Sequence, residues 1–67
     1  MITVTVNGKT HQIPNGSVIS DLLTQLELVG KRIAVEMNGE IVPKSQHAVT
    51  TLQADAELEI VVAVGGG

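Results

Sequence analysis

The chain has 67 residues, a net charge of −3 and no cysteine, which bounds it to one domain near the lower limit for folding without a staple and excludes disulfides and a thiolate zinc site. It has no Phe, Tyr or Trp and only four Lys and Arg residues, so it offers neither an aromatic platform for bases nor a surface suited to a phosphate backbone. No apolar run approaches the roughly 20 residues of a membrane span, and Met1-Ile2-Thr3-Val4 lacks the basic and apolar regions of a signal peptide. A cytoplasmic protein with no nucleic-acid or membrane partner is expected, its mild acidity suiting a basic protein partner.

The first residues, Ile2-Thr3-Val4-Thr5-Val6, alternate with period two and are rich in β-branched side chains, which predicts a strand burying Ile2, Val4 and Val6. Asn7-Gly8 follows at once, and this pair favours a two-residue turn in which both central residues take positive φ. Lys9 to Ile13 is then the returning strand, ended by Pro14-Asn15-Gly16.

Next the period changes. Val18, Ile19, Leu22, Leu23 and Leu26 recur at spacings of three and four, which predicts a helix from about 18 to 27 with one apolar face. Ser17 is placed to cap it, Asp21 to complement its dipole, and Gly30 to end it in the left-handed conformation.

Lys31-Arg32 reads as a solvated entry to Ile33-Ala34-Val35-Glu36-Met37, a strand with few polar positions and therefore a central one. Asn38-Gly39 signals a second tight turn, and Glu40-Ile41-Val42 a short return strand stopped by Pro43. Lys44 to Gln53 has no clean period and reads as loop, with room for one helical turn. From Glu57 to Val64 the alternation returns: Leu58, Ile60, Val62 and Val64 share one face, Glu57, Glu59, Val61 and Ala63 the other. The economical packing sets this last strand beside the first, in parallel, with the helix across one face of the sheet. That is an α+β fold of the β-grasp type, with residues 1–64 as the domain and 65–67 as a glycine tail.

Three glycines, Gly65, Gly66 and Gly67, follow the last strand directly. Taken alone they fit a frayed end equally well. Glycine is a poor strand former, however, so the sheet should stop near Val64 and leave a tail reaching about 10 Å from the body. A tail without side chains can thread a narrow tunnel and place its α-carboxylate in another protein's active site. That carboxylate, ionised at neutral pH, can attack the α-phosphate of ATP once an enzyme aligns the two. No side chain of the chain itself then needs to catalyse anything.

Over its whole length the chain resembles the ubiquitin-like sulfur carriers, most closely those of thiamin biosynthesis, the ThiS family. The resemblance is carried by Asp21-Leu22-Leu23, by the block Ala34-Val35-Glu36-Met37-Asn38-Gly39-Glu40-Ile41-Val42-Pro43-Lys44, and by the ending Ala63-Val64-Gly65-Gly66-Gly67. It implies a carrier that is not an enzyme and needs no cofactor. An adenylyltransferase similar to ubiquitin-activating enzymes would activate Gly67 with ATP. A sulfur donor, a cysteine desulfurase or similar, would convert it to a thiocarboxylate, and thiazole synthase would take the sulfur. Gly66 carries over as the second residue of the diglycine, and Gly65 as spacer. The alternatives are sulfur donation for molybdopterin, a covalent modifier, or an interaction module. Two departures from the family stand out: His47 where an aromatic residue is common, and Ala54-Asp55-Ala56 where an Asp-Gly turn is common.

Among the remaining residues, His11 and His47 are far apart, lack Cys support and read as surface residues and not as metal ligands. Val61 and Ala63, if the even-numbered residues face the helix, lie on the open face of the sheet beside the tail. With Val64 they form a candidate docking patch for the activating enzyme, bordered by Glu57 and Glu59.

Overall fold

The structure is a computed structural model and describes residues 1–63. Five strands and one α-helix follow in chain order: β1 Ile2–Val6, β2 Lys9–Ile13, α1 Ile19–Gln25, β3 Ile33–Met37, β4 Glu40–Val42 and β5 Glu57–Val62, with a single 3₁₀ turn at Lys44–Gln46. The sheet order is β2-β1-β5-β3-β4. The two hairpins are antiparallel, and β5 lies between them, parallel to β1 and antiparallel to β3.

Both hairpin turns have the predicted geometry. Asn7 and Gly8 have φ of 50° and 83°, and Asn38 and Gly39 have 52° and 87°. Two consecutive positive φ values match the right-handed twist of the flanking strands, and Asn and Gly enter this region at the smallest steric cost.

One face of the sheet packs on α1. Val4, Ile13, Ile19, Leu22, Val35, Leu52 and Leu58 are fully buried and form the centre of an entirely aliphatic core, with Val6, Leu23, Ala56 and Ile60 around them. Leu26 and Leu28 of the helix end, and Ile33, Met37 and Val42 of the second hairpin, close its margin.

Three expectations about the helix are corrected. It starts one residue later and ends two earlier than predicted, and Ser17 does not cap it: its hydroxyl donates to the Pro14 carbonyl at 2.7 Å. The leading helix amides find other acceptors. Ile19 and Ser20 donate to the backbone carbonyls of Thr50 and His47, both at 3.0 Å, and the amide of Val18 donates to Asp21 Oδ2 at 2.9 Å. A loop folded over the helix start thus supplies what a capping hydroxyl otherwise would. Nor is Gly30 the residue that ends the helix. Glu27, with φ of 60°, takes the left-handed position, the amide of Leu28 donates to the Leu23 carbonyl at 2.8 Å, and that of Glu27 to Thr24 at 3.1 Å. This is the Schellman arrangement, in which an apolar residue just past the end packs back on the core.

His47 is also corrected. It is buried, not on the surface, and its Nε2 lies 3.0 Å from the carbonyl oxygen of Val42. Since a carbonyl can only accept, Nε2 carries the hydrogen in this contact. The buried imidazole is thereby satisfied and pins the loop to the end of β4.

Candidate functional site

The last strand enters the sheet between its two hairpins and leaves it almost alone. At its start it is gripped from both sides. Thr5 donates to the Ala56 carbonyl and Asn7 to the Leu58 carbonyl, both at 2.9 Å, on the β1 side. On the β3 side, Asn38 donates to the Glu57 carbonyl at 2.7 Å and its side-chain Oδ1 accepts from the Glu57 amide at 3.0 Å.

β1 runs out at Val6, opposite Leu58. There the side chain of Asn7 continues its ladder: Nδ2 donates to the Ile60 carbonyl at 3.0 Å, and Oδ1 accepts from the Ile60 amide at 2.8 Å. A carboxamide presents the same donor and acceptor pair as a peptide group, so Asn7 acts as one further residue of the neighbouring strand. Both turn asparagines therefore serve twice, once in their own turn and once on β5.

Beyond Ile60, among the described residues, only β3 remains alongside. Ile33 pairs with Val62, and the Ala63 amide donates to the Arg32 carbonyl at 2.9 Å. Backbone groups alternate sides along a strand. The N–H and C=O of Val62, in phase with those of Ile60, point to the side that β1 has left.

The residues predicted for docking divide as follows. Val61 is 64% exposed and lies on the open face of the sheet, and Val62, its neighbour on the other face, is 39% exposed. Ala63 is exposed. The candidate residues Val64, Gly65, Gly66 and Gly67 lie outside the described residues. The sheet adds two residues on this face: Ala34 stands directly across from Val61 on β3, and Ile41, 74% exposed, stands on β4 directly across from Glu36. Toward the turn end of the same face, Glu36 pairs directly with Glu59, and Glu57 is the next residue of that row. These three carboxylates line a shallow depression of about 600 Å³ with Asn38 and Gly39. Like charges directly opposite across strands oppose pairing, so this arrangement is not what stability alone would select. Ile41 and Glu36 were legible only once β3 and β4 were laid beside β5.

His11 and His47 stand on separate elements, and among the described residues no three His, Cys, Asp or Glu side chains are grouped as a metal site. No helix among those residues is long and apolar enough to cross a membrane.

A mixed sheet holding one helix, with its central last strand carried out past its neighbour, defines a ubiquitin-like β-grasp domain. The model of the ThiS family matches residues 4–67. The chain belongs to the ThiS family. In overall structure it is similar to the thiamine biosynthesis protein ThiS of Geobacter metallireducens, with a TM-score of 0.82, 28% identity, and coverage of 98% of this chain and 100% of that one. Among sequences it is 37% identical over 62 residues to the thiazole synthase of Paramagnetospirillum magneticum, spanning 92% of this chain but 19% of that protein. It is also 30% identical over 66 residues to the uncharacterized protein ycf40 of Pyropia yezoensis, covering 98% of this chain and 93% of that protein. The chain thus spans about a fifth of the length of the thiazole synthases it matches.

Proposed function

We propose that the chain is the sulfur carrier of thiamin biosynthesis, and that the α-carboxylate of Gly67 is the group that changes chemically. The reading is carried by the family match, which runs through Gly65, Gly66 and Gly67 to the last residue. It is supported by the geometry leading there, a strand held on both sides at its start and, among the described residues, paired with β3 alone at Val62.

The carboxylate oxygen attacks the α-phosphate of ATP in the site of an adenylyltransferase, pyrophosphate leaves, and an acyl adenylate results. The terminal sulfur of a donor's persulfide then attacks that carbonyl and expels AMP. A second thiol then attacks the donor's sulfur in the acyl disulfide; thiol and donor are oxidised to a disulfide, and the thiocarboxylate is released for a thiazole synthase to consume. The chain supplies no catalytic side chain to these steps and is not an enzyme. Its contribution is presentation: Gly66 and Gly67 have no bulk to hinder entry into a narrow site, and Gly65 adds reach.

The adenylyltransferase docks on the open face of the sheet. Val61 and Ala34 provide apolar contact near the end of β5, with Ala63 next along the chain and Ile41 across from Glu36, and Glu36, Glu57 and Glu59 give the patch an acidic border that selects a basic partner surface; Val64 is the further residue we assign to this contact.

Intact-mass measurement of the chain incubated with ATP, the adenylyltransferase and a persulfide donor tests the reading. A mass gain equal to exchanging one oxygen for sulfur, localised to Gly67, is expected, and isopeptide adducts on lysines in its place would establish a modifier. Loss of Gly67 should abolish sulfur acceptance; a truncated chain that still accepted it would sink the site. Supplying the sulfurated chain to thiazole synthase and, separately, to molybdopterin synthase decides the pathway.

A further inference from the structure

A second surface, on the side of the sheet that carries the helix, has a different composition. A groove of about 540 Å³ opens between the C-terminal half of α1, the 28–32 turn and the segment after β4. Leu23, Leu28 and Ile33, buried or half-buried, provide apolar wall. Lys31, Arg32 and Lys44 line it as well, all with exposed side chains, and no Asp or Glu lines it.

Three of the four Lys and Arg residues of a chain with net charge −3 therefore meet in one concave place. Random placement on an acidic surface would intersperse the signs, and mutual repulsion among three cations disfavours their convergence. Ser20, Thr24 and His47 also line the groove. Its volume is that of a pocket for a small organic molecule, about 300–1,000 Å³.

We propose that this groove binds an amphiphilic anion, a phosphate or carboxylate carried on an apolar body. Leu23, Leu28, Val29 and Ile33 take the body, and Lys31, Arg32 and Lys44 neutralise the anionic group. The groove is distinct from the open face, although Arg32 also takes the Ala63 amide on its carbonyl, and the proposal stands whether or not the chain carries sulfur.

The test is a two-dimensional amide NMR titration of the full chain with 1-naphthyl phosphate, 1-naphthoate and uncharged 1-naphthol. The chain has no Phe, Tyr or Trp, so ring-current shifts report directly on where the naphthyl group lies. Saturable shifts confined to residues 20–24, 28–33 and 44–48 are expected, with phosphate tighter than carboxylate and affinity falling as salt rises. Replacing Arg32 and Lys44 together by Gln should weaken the phosphate by about tenfold or more, while Glu57→Gln on the opposite face leaves it unchanged within about twofold. The variant side chains are exposed, and retained dispersion of the amide spectrum confirms the fold. The proposal is overturned if naphthol binds as tightly as the phosphate, if the shifts fall on the open face, or if the double variant binds unchanged.

Discussion

The two ends of β5 are held differently. From Glu57 to Ile60 the strand has a partner on each side, and where β1 gives out the side chain of Asn7 extends its ladder to Ile60. From Val61 to Ala63 it has, among the described residues, β3 alone. The first half holds the sheet together and buries Leu58 and Ile60; the second carries the chain outward with exposed valine and alanine. One strand thus separates anchorage from presentation within a few residues, and the boundary is set by a side-chain amide.

Mutations that break this contrast should differ in size according to which half they strike. Leu58→Ala empties the centre of the core at a residue 2% exposed. A loss of about 2–5 kcal/mol is expected, enough to leave a domain of this size largely unfolded by circular dichroism at ordinary temperature. Asn7→Ala removes both bonds to Ile60 and a residue suited to positive φ; denaturant unfolding should register about 2 kcal/mol. Asn38→Ala removes only one side-chain bond to β5 and should cost about 1–2 kcal/mol. An Asn38 variant clearly worse than the Asn7 variant would mean that β3, not β1, sets the anchorage.

In the second half the effects move from stability to activity. Val61→Asp should change the unfolding free energy by no more than about 0.5 kcal/mol. It should nevertheless lower kcat/KM for adenylation by about tenfold or more, and unchanged activation would remove Val61 from the docking surface. Amide hydrogen exchange needs no mutation: the Ile60 amide should be strongly protected and the Val62 amide weakly, because among the described residues only the first has an acceptor on the β1 side. The smallest change is Glu59→Lys, which places opposite charges across from each other at Glu36 and should add a few tenths of a kcal/mol. If the acidic row selects the partner, the same variant will be activated more slowly despite its greater stability.

Much of the fold was legible because its signals are local. The bounds of β1 to β4 and both hairpin turns follow from alternation and two Asn-Gly pairs, and the parallel pairing of β1 with β5 from the length of chain between them. The Val61 face followed from the same alternation. What stayed hidden depends on partners distant in sequence. The contacts of Asn7 join residues 53 apart, and each Asn-Gly pair is already explained by its turn, so nothing hints at a second role. Ser17 has the right chemistry for a cap, but a loop some thirty residues later delivers carbonyls to the helix start first. His47 lies in a stretch without periodicity, where burial leaves no pattern to read. Lys31, Arg32 and Lys44 look like scattered solvated charges until the turn after α1 and the segment after β4 close on one groove.

Because β1 and β5 are parallel neighbours, Met1 and Ala63 emerge at opposite poles of the sheet. A label, an affinity tag or a tether to a sensor surface joined at Met1 would therefore point away from the exit of the last strand. The sulfur transfer we propose could then be followed on an immobilised chain without the attachment crowding the enzymes that this proposal brings to the far pole.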